Sequence, residues 1–196
     1  MKIFDKLLDN TMAEHIESCL LNLPWYYETS TSDFTDIPDF QRNVPNVLET
    51  PYMVNMLGCH SHDTSANDIK PFIPIIQKLE ENTGRSFLKR IQRIKANLYL
   101  KRVNYPDNYY QLPHVDMWNA DTNTPDPGEI FLYYADDSDG DTFFFNEKFG
   151  ANKYTVFNRS SPVKGKGVLF DNSLVHASSP PRIHERRLTL NFVFRR

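Results

Sequence analysis

The chain has 196 residues, 40% of them hydrophobic and 24% charged, with a formal net charge of −3. That is enough chain for one domain with a real core, and it gives no global positive charge that would favour nucleic acid. No apolar stretch approaches the roughly 20 residues a membrane helix needs, so neither a nucleic-acid nor a membrane partner is expected. The two cysteines, Cys19 and Cys59, make no disulfide framework and suit a reducing compartment. The opening MKIFDKLLDN places aspartates where a signal peptide needs an apolar run. A cytoplasmic protein is expected.

Thr11-Met-Ala-Glu14 reads as a capping box that starts a helix, whose apolar stripe of Ile16, Cys19, Leu20 and Leu23 stops at Pro24. Trp25-Tyr26-Tyr27 reads as a strand. Residues 30–47 are polar and broken by Pro38 and Pro45, which predicts a loop, either a lid or a surface excursion. Cys59-His60-Ser-His62-Asp63 offers metal-ligand types, but Asn67 and Asp68 follow as helix-start signals, and a polar turn is the expected reading. A second helix is predicted from about Ile69, with Phe72, Ile75, Ile76 and Leu79 on one face and Thr83-Gly84 at its end.

From Phe87 the period becomes strand-like. Ile91 to Val103 interleaves apolar residues with Arg93, Lys95, Lys101 and Arg102, read as a solvated strand face rather than a basic surface turned to a substrate. Short β runs are predicted at Ile130–Ala135 and Thr142–Phe145, joined as a hairpin through Asp136-Asp-Ser-Asp-Gly140. Further runs follow at Tyr154–Asn158, Gly167–Asp171 and Arg187–Phe194. Many short strands at this spacing predict a mainly β fold of sandwich or jelly-roll type with flanking helices.

Leu112-Pro-His114-Val-Asp116 holds the strongest chemical signal. In extended chain, residues two apart share a face, so His114 and Asp116 stand side by side with Val115 turned away. A second histidine, His176, stands in Val168-Leu-Phe-Asp-Asn-Ser-Leu-Val-His176, where an apolar strand ends in a turn that carries the histidine. Two histidines and one carboxylate on a metal make the facial triad of non-haem Fe(II) oxygenases, which leaves positions open for other ligands. In the strand after His176, Arg187, Thr189, Asn191 and Val193 share one face, and Leu188, Leu190, Phe192 and Phe194 the other. An arginine turned inward needs an anion, and a carboxylate suits its planar fork.

His114-Val-Asp116, the distal His176 and Arg187 resemble the Fe(II)/2-oxoglutarate-dependent oxygenases, nearest to the prolyl 4-hydroxylase-like branch. Phe131-Leu-Tyr133-Tyr134, Asp139-Gly-Asp-Thr142 and Pro162-Val-Lys-Gly-Lys-Gly-Val-Leu-Phe170 support the resemblance, which spans about Ile91 to Phe194. It implies a single oxygenase domain. Residues 91–196 would form a double-stranded β-helix (jelly-roll) core, and residues 1–90 a helical buttress with variable loops. It implies Fe(II) held by His114, Asp116 and His176, and 2-oxoglutarate held by Arg187 and Thr189, with Tyr133 as a hydrogen-bonding partner and Thr142 lining the pocket. The implied reaction consumes O2 and 2-oxoglutarate, releases succinate and CO2, and hydroxylates a substrate C–H bond. A prolyl or other peptidyl side chain is the first expectation for the substrate, a free amino acid or small metabolite the second, and a non-catalytic metal-binding jelly roll the competing class. Asp139-Gly140 stands where the family usually has two glycines. Nucleobase demethylases typically have another arginine six residues after the first, and here Val193 occupies that place. Met117-Trp118-Asn119 reads equally as a substrate wall or as core.

Overall fold

The structure, a computed structural model, describes residues 1–30, 44–59 and 69–196. The chain opens with β1 (Lys2–Phe4) and α1 (Asn10–Leu21), then β2 (Tyr26–Glu28) and β3 (Tyr52–Cys59). Helix α1 starts earlier than the Thr11–Glu14 capping box suggested. Asp9 is the cap, its carboxylate accepting from the Met12 N–H at 2.9 Å, which places Thr11 inside the first turn. A 3-10 turn at Lys70–Phe72 leads into α2 (Ile73–Thr83). Pro74 sits in the first turn of α2, where its missing N–H costs nothing, and Gly84 closes the helix in the left-handed conformation with φ 67°.

Next come β4 (Ile91–Leu100), the short pair β5 (Trp118–Asn119) and β6 (Thr124–Pro125), then β7 (Gly128–Tyr134), β8 (Thr142–Phe145), β9 (Val156–Ser160), β10 (Gly167–Asp171), β11 (His176–Ser178) and β12 (Arg186–Arg195). Seven strands form one antiparallel sheet in the order β1-β10-β7-β12-β4-β3-β2, and β11-β8-β9 form a second. The architecture is mainly β with few helices, consistent with a jelly roll. Among the described residues, the first 90 positions contribute three strands to the large sheet besides their helices. Among the described residues no helix is long and apolar enough to cross a membrane.

The expected hairpin through Asp136–Gly140 does not form. Strand β7 pairs with β10 and β12, whereas β8 pairs with β9 and β11, so this segment crosses from one sheet to the other. Asp139 holds the crossing by accepting from the backbone N–H groups of Arg182, Ile183 and His184 at 3.0–3.2 Å and from His184 Nδ1 at 3.0 Å. An aspartate in place of a second glycine thus ties two loops together.

Strand parity builds two apolar layers. Leu188, Leu190, Phe192 and Phe194 of β12 and Phe131 of β7 join Ile16 and Leu20 of α1 and Ile75, Ile76 and Leu79 of α2 in one core. Ile130, Leu132 and Tyr134 of β7, Val168 and Phe170 of β10 and Val193 of β12 meet Phe144 of β8 in another, between the sheets. Arg186 lies on the helix side and pairs with Glu17 of α1 at 2.6 Å. Gly167 makes room for the first core: a Cβ there would lie 2.3 Å from Phe131 Cζ. Gly167→Ala is therefore expected to cost about 1–3 kcal/mol by overpacking, read as a lowered urea midpoint with an unchanged slope.

Candidate active site

His114 is carried by an extended segment rather than a regular strand, and a single antiparallel bridge ties it to β11. The His114 N–H donates to the His176 carbonyl at 2.9 Å, and the His176 N–H returns the bond at 3.1 Å. This holds the two imidazoles with centroids 4.6 Å apart. His114 Nδ1 lies 2.9 Å from the Leu112 carbonyl and His176 Nδ1 3.2 Å from the Leu174 carbonyl. A carbonyl only accepts, so both Nδ1 atoms carry a proton toward the backbone, and both Nε2 atoms are turned into the site. Burial, reinforced by the neighbouring His176, lowers the pKa of His114 to about 4, which keeps it neutral near pH 7.

Asp116 completes the cluster. Candidate ligand atoms of His114, Asp116 and His176 all lie within 4.8 Å of one another, and the site sits in the space between the sheets. Two imidazole nitrogens and one carboxylate suit a divalent first-row metal such as Fe(II). Burial opposes ionisation of Asp116, yet the hydrogen bond to His176 and the charge of Arg93 hold its pKa well below the usual carboxylate range. Asn191 Nδ2 donates to both carboxylate oxygens at 3.1 and 3.2 Å, and Arg93 Nη2 pairs with Oδ1 at 2.5 Å. Buried Asn172 fixes the backbone: its Oδ1 accepts from the Asp116 and Met117 N–H groups, both at 3.1 Å, and its Nδ2 donates to the Met117 and Asp126 carbonyls.

Arg93, Lys95 and Asn172 are residues that sequence reasoning missed. Arg93 and Lys95 were expected on a solvated face, but β4 turns Ile94, Ala96 and Leu98 to the helices. By strand parity Arg93, Lys95, Asn97 and Tyr99 then face the second sheet. The alternation was visible in the sequence; which face is enclosed was not. Register sets Arg93 opposite Val193 on β12, so a guanidinium reaches Asp116 from β4 at the level where β12 has valine.

The far end of the pocket is built around Arg187, which is 2% exposed. Its Nε donates to the Gly140 carbonyl at 2.7 Å and its Nη2 to Thr142 Oγ1 at 2.9 Å, while the guanidinium lies over the rings of Tyr99 and Tyr134. No carboxylate pairs with it among the described residues. Thr189 lines the same pocket, and its buried Oγ1 has no hydrogen-bond partner there. A buried cation without a counter-ion beside an orphaned hydroxyl fits one carboxylate of a dicarboxylate co-substrate.

Tyr133 is not part of this pocket. It packs in the helix-side core, and its neighbour Tyr134 turns inward and donates to Thr142 Oγ1 at 2.8 Å. The inward face of β7 is even-numbered, one residue out of step with the sequence expectation. Asp136, at the start of the crossing between sheets, is buried: its Oδ1 accepts from the Leu188 N–H at 2.8 Å, and burial raises its pKa to about 6. Met117 is core, while Trp118 is partly exposed against Phe149 on the outer side of Asp116. The His60–Asp63 cluster and most of the 30–47 loop lie outside the described residues.

No protein-family model matches the sequence, and no curated protein matches it. Solved structures do resemble the fold. A member of the 2OG-Fe(II) oxygenase family from Burkholderia pseudomallei aligns with TM-score 0.61 and 16% identity over 97% of this chain and 82% of its own. A Trichoplax adhaerens prolyl hydroxylase in complex with a hypoxia-inducible-factor peptide fragment gives 0.58 and 13% over 98% and 82%. A non-haem α-ketoglutarate-dependent epimerase of nogalamycin biosynthesis gives 0.57 and 11% over 99% and 80%. The chain shares the fold of these enzymes.

His114→Ala and His176→Ala are each expected to abolish tight Fe(II) binding in an anaerobic titration while leaving the circular dichroism spectrum native. Arg93→Met is expected to weaken Fe(II) binding by about 10–100-fold, the range seen when a ligand's orienting partner is lost. Because residues 93 and 193 face each other, adding Val193→Arg to Arg93→Val is expected to recover part of that loss.

Proposed function

We propose that this protein is an Fe(II)- and 2-oxoglutarate-dependent dioxygenase that hydroxylates a C–H bond with release of succinate and CO2. The observation that carries the reading is the pairing, in one pocket, of the His114–Asp116–His176 cluster with the buried, counter-ion-free guanidinium of Arg187. In this reading the two facing sheets are the double-stranded β-helix of that family, near its prolyl 4-hydroxylase-like branch, and the two cysteines suit a reducing cytoplasm.

His114 and His176 would hold the metal through Nε2 and Asp116 through its carboxylate. Metal and 2-oxoglutarate together supply the activation of O2. The remaining work belongs to the chain. Arg187 and Thr189 would take the distal carboxylate of 2-oxoglutarate, with Tyr99 and Tyr134 fixing the plane of the guanidinium. Thr142 would orient Arg187, since its oxygen accepts from Arg187 and Tyr134, and its O–H is left to donate to the co-substrate carboxylate. Asn191 and Arg93 keep Asp116 ionised and aimed, and Leu132 and Phe170 present apolar walls that limit water.

A peptidyl side chain and a free amino acid or small metabolite both remain open to such a site. One feature favours the second: Lys95 also lines the pocket and forms no ion pair among the described residues. The backbone of a peptide's internal residue would bring it no charge, whereas a free amino acid brings its α-carboxylate.

Two adjacent arginines test the co-substrate site. Arg187→Ala is expected to raise the 2-oxoglutarate requirement at least ~100-fold, the scale for removing one partner of a buried charge pair. Arg186→Ala should change it less than ~3-fold, as for a partly exposed pair. Its loss should instead appear as reduced stability, because it separates β12 from Glu17. Equal effects on 2-oxoglutarate, or the larger one at Arg186, contradict the reading.

A further inference from the structure

The inward row of β4 continues past the groups that serve the metal and Arg187. Lys95 lines the pocket two residues along β4 from Arg93, opposite Asn191, which itself donates to Asp116. Its ammonium donates to Tyr52 Oη at 3.2 Å and lies 5.4 Å from that ring's centroid. Tyr52 in turn stacks on Tyr99 at 4.9 Å and 12°, so its position is tied to the Arg187 end of the pocket. An ammonium has three donors, and one neutral phenol is the only polar partner this one has among the described residues.

The charges around Lys95 make that arrangement costly unless an anion arrives. Arg93 repels it. Asp116 and Glu28 attract it without pairing, and Asp116 is already engaged by Arg93, Asn191 and His176. Burial is the largest influence and, with Arg93, lowers the Lys95 pKa to about 8. Under the function proposed above, a dicarboxylate co-substrate would neutralise Arg187 and offset the charge of the metal. Arg93 keeps Asp116 as its partner, and Lys95 is then the cation left without one among the described residues.

Resting on that proposed function, we propose that Lys95 and Tyr52 form an anion subsite for the primary substrate, which is a small molecule bearing a free carboxylate close to the C–H bond that is oxidised. Lys95 supplies the charge. The Tyr52 hydroxyl, released from the lysine or shared with it, supplies a second donor. The stacked Tyr52 and Tyr99 rings set how far the carboxylate lies from the metal cluster. Internal residues of a peptide lack the α-carboxylate and are disfavoured; a free or N-acylated amino acid has it.

The experiment is a calorimetric titration of the full chain, anaerobic and with Mn(II) and 2-oxoglutarate present. The probes are the standard free amino acids, their N-acetyl derivatives and the matching carboxamides. The expected result is at least one acid that binds ~10-fold or more tightly than its amide, the scale of a charge-assisted contact. Lys95→Met should erase that ratio, Lys95→Arg should keep most of it, and Tyr52→Phe should reduce it. Binding of 2-oxoglutarate itself should change less than ~3-fold in Lys95→Met. The subsite is overturned if no acid is preferred to its amide, or if the preference survives in Lys95→Met. It is also overturned if Lys95→Met weakens 2-oxoglutarate ~10-fold or more, which makes the lysine a co-substrate contact. These readouts need neither oxygen nor turnover. Failure of the reaction proposed above would show separately, as a missing absorption band when 2-oxoglutarate is added to the Fe(II)-loaded protein without air.

Discussion

The register between β12 and β4 is the constraint on which the site depends. Their antiparallel pairing runs unbroken from Arg186↔Leu100 to Val193↔Arg93, the longest ladder among the described residues. Side chains alternate along it with a period of two, so a slip of one residue would send every inward group to the helices. In the observed register, Arg187, Thr189 and Asn191 face Tyr99, Asn97 and Lys95 across the strand boundary. Four apolar side chains of β12 pack outward against α1 and α2. Burial of that outer face fixes the register, and the polar inner face follows from it.

Two devices then bring the second sheet to this surface. The backbone bridge between His114 and His176 sets both imidazoles at one level, and Asn172 spends all of its hydrogen-bonding capacity on the segment that follows His114. The Asp136–Asp141 crossing carries the chain from one sheet to the other and puts the Gly140 carbonyl on Arg187. Gly140 has to be small there, since a Cβ would lie 2.6 Å from the Ser179 carbonyl and 2.8 Å from Arg187 Cδ. The loops that look least regular in sequence are thus the ones that close the pocket.

Electrostatically the pocket is asymmetric. One carboxylate, Asp116, is bounded by Arg93 on its outer side, with Lys95 further along the inner wall and Arg187 at the far end. A surplus of buried positive charge is stable only with anionic occupants. A divalent metal adds to the surplus rather than relieving it. A co-substrate and a substrate that each carry carboxylate would satisfy every one of these groups.

Much of this was legible in the sequence, and the limits of legibility have a physical cause. His114 with Asp116, the distant His176 and the inward parity of Arg187 could be read because each depends on local periodicity, and the β12 strand has one wholly apolar face to orient it. Both helices could be read for the same reason, although the first is capped by Asp9 rather than by Thr11. Tyr133 was misplaced because every residue of β7 is buried. A strand covered on both sides has no polar face to mark its parity. Asp136–Gly140 has the composition of a tight turn, yet it crosses between sheets, because turn residues specify a change of direction and not the strand's next partner. Arg93 and Lys95 alternate with apolar residues as a solvated face would; only the second sheet, brought over them by contacts distant in sequence, turns that face into the wall of a pocket.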